Sequence, residues 1–273
     1  MKPIILAKDG CKSAAHLIAE LTLLMSQPGI SKLAGVVKLN DGNFIEDMSA
    51  SGIGAALKAV AEVTGTRFEV FEDLKTGDVS KTLNNIAKRF QGVAPKILTV
   101  NALIATEGFL EIKKALPETE VALFSVPTDM SVEECRAKYD GKTPGEKILS
   151  DLEFYLERWE KLKPNVDSGK LPANANIGQP FSLAVCSPRE LDFLNDHGMG
   201  QYFKWVCAAI RDEWMPEDHQ KRTAGIREVL VKGAKYAVMG TQLLKGNPEA
   251  GISPEESQQR TLNEVQAAFR EMQ

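Results

Sequence analysis

The sequence predicts an α/β protein: one (β/α)8 TIM barrel over residues 1–273, with a helical insertion after the fifth strand. Three observations predict it. Eight short apolar runs alternate with helical patterns along the chain. A length of 273 residues accommodates one large barrel, or two ordinary domains. The first apolar run leads into Asp9-Gly10-Cys11, not into the glycine-rich phosphate turn usual in an open doubly wound sheet, which is the alternative.

The elements follow in order. Residues 3–7 read as the first strand, not as a signal peptide, because the apolar stretch is too short. A helix is predicted near 13–25, and a second strand at 33–37 ends at Lys38. A loop at 42–47 leads to a helix near 50–63. Phe68, Val70 and Phe71 mark the third strand, ending at Asp73. The helix predicted at 79–90 carries an apolar stripe of Leu83, Ile86, Ala87 and Phe90. Residues 96–100 form the fourth strand, 107–115 a helix, and 120–126 the fifth strand, ending at Pro127-Thr128. Residues 131–178 break the rhythm: a long helix near 145–162, then a Pro/Asn/Gly-rich linker at 163–179. Phe154, Tyr155, Leu156 and Trp159 on that helix read as packing or a subunit contact. The sixth strand is 181–185. Pro188 opens a helix to 195, where its missing N–H costs little. The seventh and eighth strands are 202–206 and 236–239, and a last helix covers 254–272.

Composition narrows the function. The net charge of −4 gives no electrostatic case for nucleic acid or anionic membrane. No apolar run is long enough to span a bilayer. Cys11, Cys135, Cys186 and Cys207 are scattered, with neither a paired metal spacing nor a disulfide framework, which suits a cytoplasmic protein. His16, His197 and His219 show no helical metal-binding spacing.

A barrel's active site lies at the carboxyl ends of its strands. Those ends carry Asp9, Lys38, Asp73, Lys75, Asp78, Asn101, Thr128 and Gly240. Asp73 and Lys75 are two apart, so in extended chain they share a side. Asp78 falls where a helix begins, a favourable place for a carboxylate. Composition alone also accommodates a solvated charged turn at 73–78, and a snorkelling lysine at position 38.

The run Asp73-Leu74-Lys75-Thr76-Gly77-Asp78-Val79-Ser80-Lys81-Thr82 resembles the signature of the orotidine 5′-phosphate decarboxylase family. That signature is Asp-x-Lys-x-x-Asp, a β-branched residue, two more residues, then Thr. Asp9 and Lys38 sit where that family places its other two polar residues. Val185-Cys186-Ser187-Pro188-Arg189-Glu190 is similar to its Val-Cys-Ser-x-x-Glu segment. Asp218-His219-Gln220-Lys221-Arg222 resembles its Asp-Gln-x-Arg element with one residue inserted. Residues 233–240 resemble its eighth strand. The likeness covers nearly the whole chain apart from about 140–178, and the third-strand signature is its specific part.

The chain departs from the family at three places. After the seventh strand only Ile210-Arg211 remains of Thr-Pro-Gly-Ile-Arg. Thr223-Ala224-Gly225-Ile226-Arg227 matches that motif better by letters, yet falls after Gln220, so Arg211 is preferred. The family's phosphate-gripping arginine is Thr241 here, and its histidine after the fourth strand is Asn101. Losing that arginine removes a bidentate contact to phosphate. Arg211, the Gly240 amide and Lys245 are the replacements the sequence offers.

The resemblance implies conversion of orotidine 5′-monophosphate to uridine 5′-monophosphate and carbon dioxide, in pyrimidine biosynthesis, with no metal and no organic cofactor. It implies Lys38, Asp73, Lys75 and Asp78 as catalytic residues. It implies Asp9 at the ribose, Thr128 at the pyrimidine, and Arg211, Gln220, Gly240 and Thr241 at the phosphate. It further implies a homodimer in which Asp78 and Thr82 reach the partner's site. Two alternatives stand. Related magnesium-dependent sugar-phosphate lyases share Asp-x-Lys-x-x-Asp, but usually have glycine where this chain has Ser80. A non-catalytic nucleotide-binding homologue is the other.

Overall fold

Eight parallel strands pair in chain order, and the first closes onto the eighth. The structure is a computed structural model and describes residues 2–11, 13–26, 29–39, 50–166, 181–216 and 222–273. The predicted loop at 42–47, residues 167–179 of the predicted linker, and 218–221 lie outside them.

The strands are β1 (Ile4–Ala7), β2 (Ala34–Leu39), β3 (Glu69–Thr76), β4 (Ile97–Asn101), β5 (Glu120–Phe124), β6 (Leu183–Cys186), β7 (Lys204–Cys207) and β8 (Ala234–Met239). Alternation along each strand divides the apolar residues into two cores. Ile5, Val36, Phe71, Ile97, Val206 and Tyr236 fill the barrel. Ile4, Leu6, Val37, Val70 and Leu98 face the helices outside it. Burying both faces is what makes these strands read as continuous apolar runs.

The helices between β1 and β5 are α1 (Ala14–Met25), α2 (Ile30–Leu33), α3 (Ala50–Thr64), α4 (Ser80–Arg89) and α5 (Thr106–Ala115). Then come α6 (Val132–Lys138), α7 (Pro144–Val166), α8 (Leu191–Asp196), α9 (Ile226–Val231), α10 (Thr241–Lys245) and α11 (Pro254–Glu271). Local chemistry sets several of their starts. Ser13 caps α1 by accepting from His16 N–H, and Ser131 with Glu134 closes a capping box on α6.

The helix expected within 131–178 is α7, which crosses from β5 to β6 on the barrel's outside. Tyr155 and Trp159 are buried. The Tyr155 hydroxyl reaches the carbonyl oxygens of Ala102 (2.8 Å) and Ile104 (2.7 Å). Phe109 and Phe181 pack against its ring. These aromatics are therefore packing, while Phe154 stays exposed beside Arg158.

Two strands run further than the sequence suggested. β2 continues through Lys38 to Leu39, and β3 through Asp73 and Lys75 to Thr76. A polar residue reads as a strand end when it needs water. Here Lys38 and Asp73 satisfy each other inside the barrel mouth, so backbone pairing continues past them (Lys38 opposite Phe71). β5 stops at Phe124, two residues earlier than expected, and the buried Val126 packs beyond the end of the ladder.

Candidate functional site

Alternation also builds the site. Lys38 lies two residues after the inward Val36, and Asp73 two after the inward Phe71. Both turn into the mouth at the strands' carboxyl ends. They line a cavity of about 430 Å³ with Asp9, Lys75, Thr128, Arg211, Gly240, Thr241 and Lys245, over a floor that includes Phe71, Phe124, Val206 and Val238.

Four charged groups form an alternating chain there. Lys38 Nζ donates to both carboxylate oxygens of Asp9, at 2.8 and 2.7 Å, and to Asp73 Oδ2 at 3.1 Å. Lys75 Nζ donates to the same Asp73 Oδ2 at 2.7 Å and stands 5.1 Å from the centroid of the Phe124 ring. Lys38 is 8% and Asp73 9% exposed. Burial alone would push the Asp73 carboxyl up, but the Lys38 and Lys75 ammonium groups outweigh it and hold the carboxyl below its ordinary value. Asp73 is thus held in its ionised form between two lysines.

The backbone at this point is irregular. Glu72 pairs with Leu98 and Thr76 with Val100, so Asp73, Leu74 and Lys75 stand opposite the single residue Thr99. Lys75 has φ +51°, a left-handed conformation rare outside glycine and asparagine. This bulge aims the Lys75 side chain at Asp73.

Asp78 and Thr82, by contrast, do not line this cavity. Asp78 is exposed, and its Oδ1 accepts from the N–H of Val79 at 2.7 Å. Thr82 is half-buried on α4. Asn101 accepts from the Leu103 N–H at 3.0 Å and turns the loop after β4. Gln220 lies outside the described residues.

The two candidate arginine segments run side by side, with Arg211 N–H donating to Ala224 C=O at 3.0 Å. Only Arg211 faces the cavity; Arg227 binds Glu271 on the outside, at 2.9 and 3.0 Å. Glu190 and Arg222 form a buried pair at 2.7 Å, and Arg222 also donates to the Pro127 carbonyl at 2.6 Å. These two motif residues therefore tie the loops after β5, β6 and β7 together below Thr128. At Gly240 a side chain would press on Ala7 across the closing seam of the barrel.

Sequence reasoning missed Thr99 and the apolar floor. Their signal was strand parity: Thr99 is two residues past the inward Ile97, and Val238 two past the inward Tyr236.

Two other features compete for the role of functional site. A larger depression of about 1060 Å³ lies at the opposite end of β3 and β4, lined in part by Phe68, Glu69 and Lys96. It holds none of the clustered side chains, and Lys96 pairs with Glu69 there at 2.7 Å. Position at the carboxyl ends decides for the smaller cavity. Among the described residues, Cys11, His16 and Glu20 approach a metal-ligand grouping. However, the Lys8 ammonium already lies 2.5 Å from Glu20 and balances its charge.

Comparison with known proteins gives the family and agrees with the fold. Residues 42–251 match the family model described as orotidine 5′-phosphate decarboxylase / HUMPS family. The chain is 25% identical over 203 residues to orotidine 5′-phosphate decarboxylase of Frankia casuarinae, covering 74% of this chain and 65% of that one. It is 27% identical over 203 residues to the Synechococcus enzyme of the same name, covering 74% and 79%. The fold matches the crystal structure of orotidine 5′-phosphate decarboxylase from Lactobacillus acidophilus with a TM-score of 0.64 at 18% identity, over 97% and 99% of the chains. No described helix is long and apolar enough to cross a membrane.

Proposed function

The chain belongs to the orotidine 5′-phosphate decarboxylase / HUMPS family, and from that premise we propose that it decarboxylates orotidine 5′-monophosphate to uridine 5′-monophosphate. The observation that carries this reading is the alternating chain Asp9–Lys38–Asp73–Lys75 at the mouth of an apolar-floored cavity. Holding four charges there is electrostatically costly, and the arrangement suits one kind of step. The substrate carboxylate binds next to ionised Asp73, and like-charge contact raises the energy of the bound acid. The bond from the ring carbon to the carboxyl carbon breaks. Its electron pair stays on the ring carbon as carbon dioxide leaves. The Lys75 ammonium stabilises the developing negative charge and then transfers its proton to that carbon. Lys75 regains a proton from water.

The remaining residues bind. Asp9 takes ribose hydroxyls while it restrains Lys38. Thr128 faces the pyrimidine. Arg211, with the Gly240 amide, Thr241 and Lys245, makes up the phosphate end, and Gln220 joins them. Asp78 completes the charge chain from the neighbouring subunit with Thr82, and the enzyme works as a cytoplasmic homodimer without metal or organic cofactor. Supporting the dimer, two large apolar side chains are exposed in the loops after β3 and β4: Val79 (68% exposed), next to Asp78 in the chain, and Leu103 (86% exposed).

The test is the fall in ultraviolet absorbance when purified protein meets orotidine 5′-monophosphate, with EDTA present and no added metal. Conversion to uridine 5′-monophosphate is expected. A folded protein that leaves the nucleotide unchanged overturns the reading. Magnesium-dependent turnover of a sugar phosphate would then identify the other branch of the family.

A further inference from the structure

We propose that Thr99 is the positioning residue of this site: its one hydroxyl holds Asp73 and Lys75 in their working arrangement. The inference deepens the decarboxylase reading and rests on it. Three residues of β3 stand opposite this one residue of β4. Such a bulge leaves backbone groups without ladder partners, and Lys75 at φ +51° adds conformational strain. Thr99, fully buried, answers both. Its Oγ1 accepts the Lys75 backbone N–H at 2.9 Å and donates to Asp73 Oδ1 at 3.0 Å. A hydroxyl carries one proton, so these roles fix each other. With the N–H on a lone pair, the proton is left for one of two acceptors, Asp73 Oδ1 at 3.0 Å or the Glu72 carbonyl at 3.5 Å, and the nearer, charged carboxylate takes it.

The division of Asp73 between its oxygens follows. Oδ1 takes the neutral hydroxyl, while Oδ2 takes both ammonium groups. The carboxylate plane is thereby set, and with it the direction from which Lys75 approaches. Without the hydroxyl, the Lys75 N–H is buried without its partner and the strained turn loses its anchor. Thr99 itself meets no substrate atom. It acts only through the two residues it holds.

The experiment compares Thr99→Val, which keeps shape and loses the hydroxyl, with Thr99→Ser, which keeps the hydroxyl. For Thr99→Val, kcat on orotidine 5′-monophosphate should fall on the order of ten- to a hundredfold, with KM within about threefold. Thr99→Ser should stay within about threefold of wild type. The acid limb of the kcat profile should move to higher pH in the valine variant alone, because an ionised carboxylate that loses a donor is protonated more easily. The charged groups around Asp73 are Lys38 from β2, Lys75 from β3 and, behind Lys38, Asp9 from β1; all are unchanged. The Asp73 carboxyl titration, followed by carbon-13 NMR in ligand-free protein, should rise in the same variant.

Wild-type kcat and an unmoved Asp73 titration in Thr99→Val overturn the proposal. Equal loss in Thr99→Ser also overturns it, since packing alone would then explain the effect. If the valine variant does not fold, Thr99→Ala takes its place under the same expectations. If wild-type protein leaves the nucleotide unconverted, the decarboxylase reading fails by itself, and the ligand-free titration still decides whether Thr99 sets Asp73.

Discussion

Asp73 is where the energetics of the site converge. Its buried carboxylate receives two ammonium groups and one hydroxyl. Removing a member of such a network leaves its partners buried and unpaired, while removing the whole network need not cost stability. Lys75 is the more exposed of the two lysines, which suits the proton delivery proposed for it. Lys75→Ala or Asp73→Ala is therefore expected to abolish turnover while preserving the secondary structure seen by circular dichroism. Near-wild-type turnover in either variant contradicts its role in proton delivery or carboxylate stress. The pH dependence has a definite sign. Asp73 titrates lower in the folded than in the unfolded chain. Its stabilising share is therefore complete above the ordinary carboxylate value of about 4 and lost as pH falls through the folded value. Unfolding by denaturant, wild type against Asp73→Asn, should show a stability difference that is flat from about pH 6 to 8 and shifts against wild type below about pH 4. A difference that changes between pH 6 and 8 contradicts this assignment.

Among the elements, the turn after α10 shows how tightly this side of the cavity is bounded. Gly246 follows Lys245 with φ +63° and ψ −149°, a region that other residues scarcely enter. A Cβ there would fall on the backbone of Ile252 and Ser253. Gly246→Ala should destabilise the protein by at least about 2 kcal/mol, read as a lower denaturant midpoint with the slope unchanged. An unshifted midpoint would show that the turn relaxes freely. Turns of this kind are nearly invisible in sequence, because glycine has several uses. The strands were far more legible. Burial on both faces makes each a plain apolar run, so all eight were found in order. Their ends were misjudged at Lys38 and Asp73, where polar side chains signalled solvent but met each other instead. Thr99 went unnoticed for the opposite reason: within Leu98-Thr99-Val100 it reads as an ordinary β-former. Only the bulge across from it, a relation between two strands, gives it a task. The motif residues themselves were legible as chemistry, but the Asp9–Lys38 contact between β1 and β2 required the fold.

At the scale of the whole molecule, one motif carboxylate stands apart from the cavity. Asp9, Lys38, Asp73 and Lys75 form a connected chain, yet Asp78, three residues beyond Lys75, faces solvent, and Val79 and Leu103 are exposed in the loops after β3 and β4. A two-fold partner seated on Val79 and Leu103 would bury both and deliver each Asp78 to the other subunit's Lys75. This arrangement makes a prediction that a monomeric site cannot imitate. Lys75→Ala and Asp78→Ala should each be inactive alone. Mixed in equal amounts and allowed to exchange subunits, half of the dimers carry one of each, and only the site with intact Lys75 and the partner's intact Asp78 works. Activity should therefore return to about a quarter of wild type. Size-exclusion chromatography with light scattering should show dimers throughout. A mixture that stays inactive while its subunits exchange would place Asp78 in its own chain's site, and an active Asp78→Ala variant would place it outside the reaction.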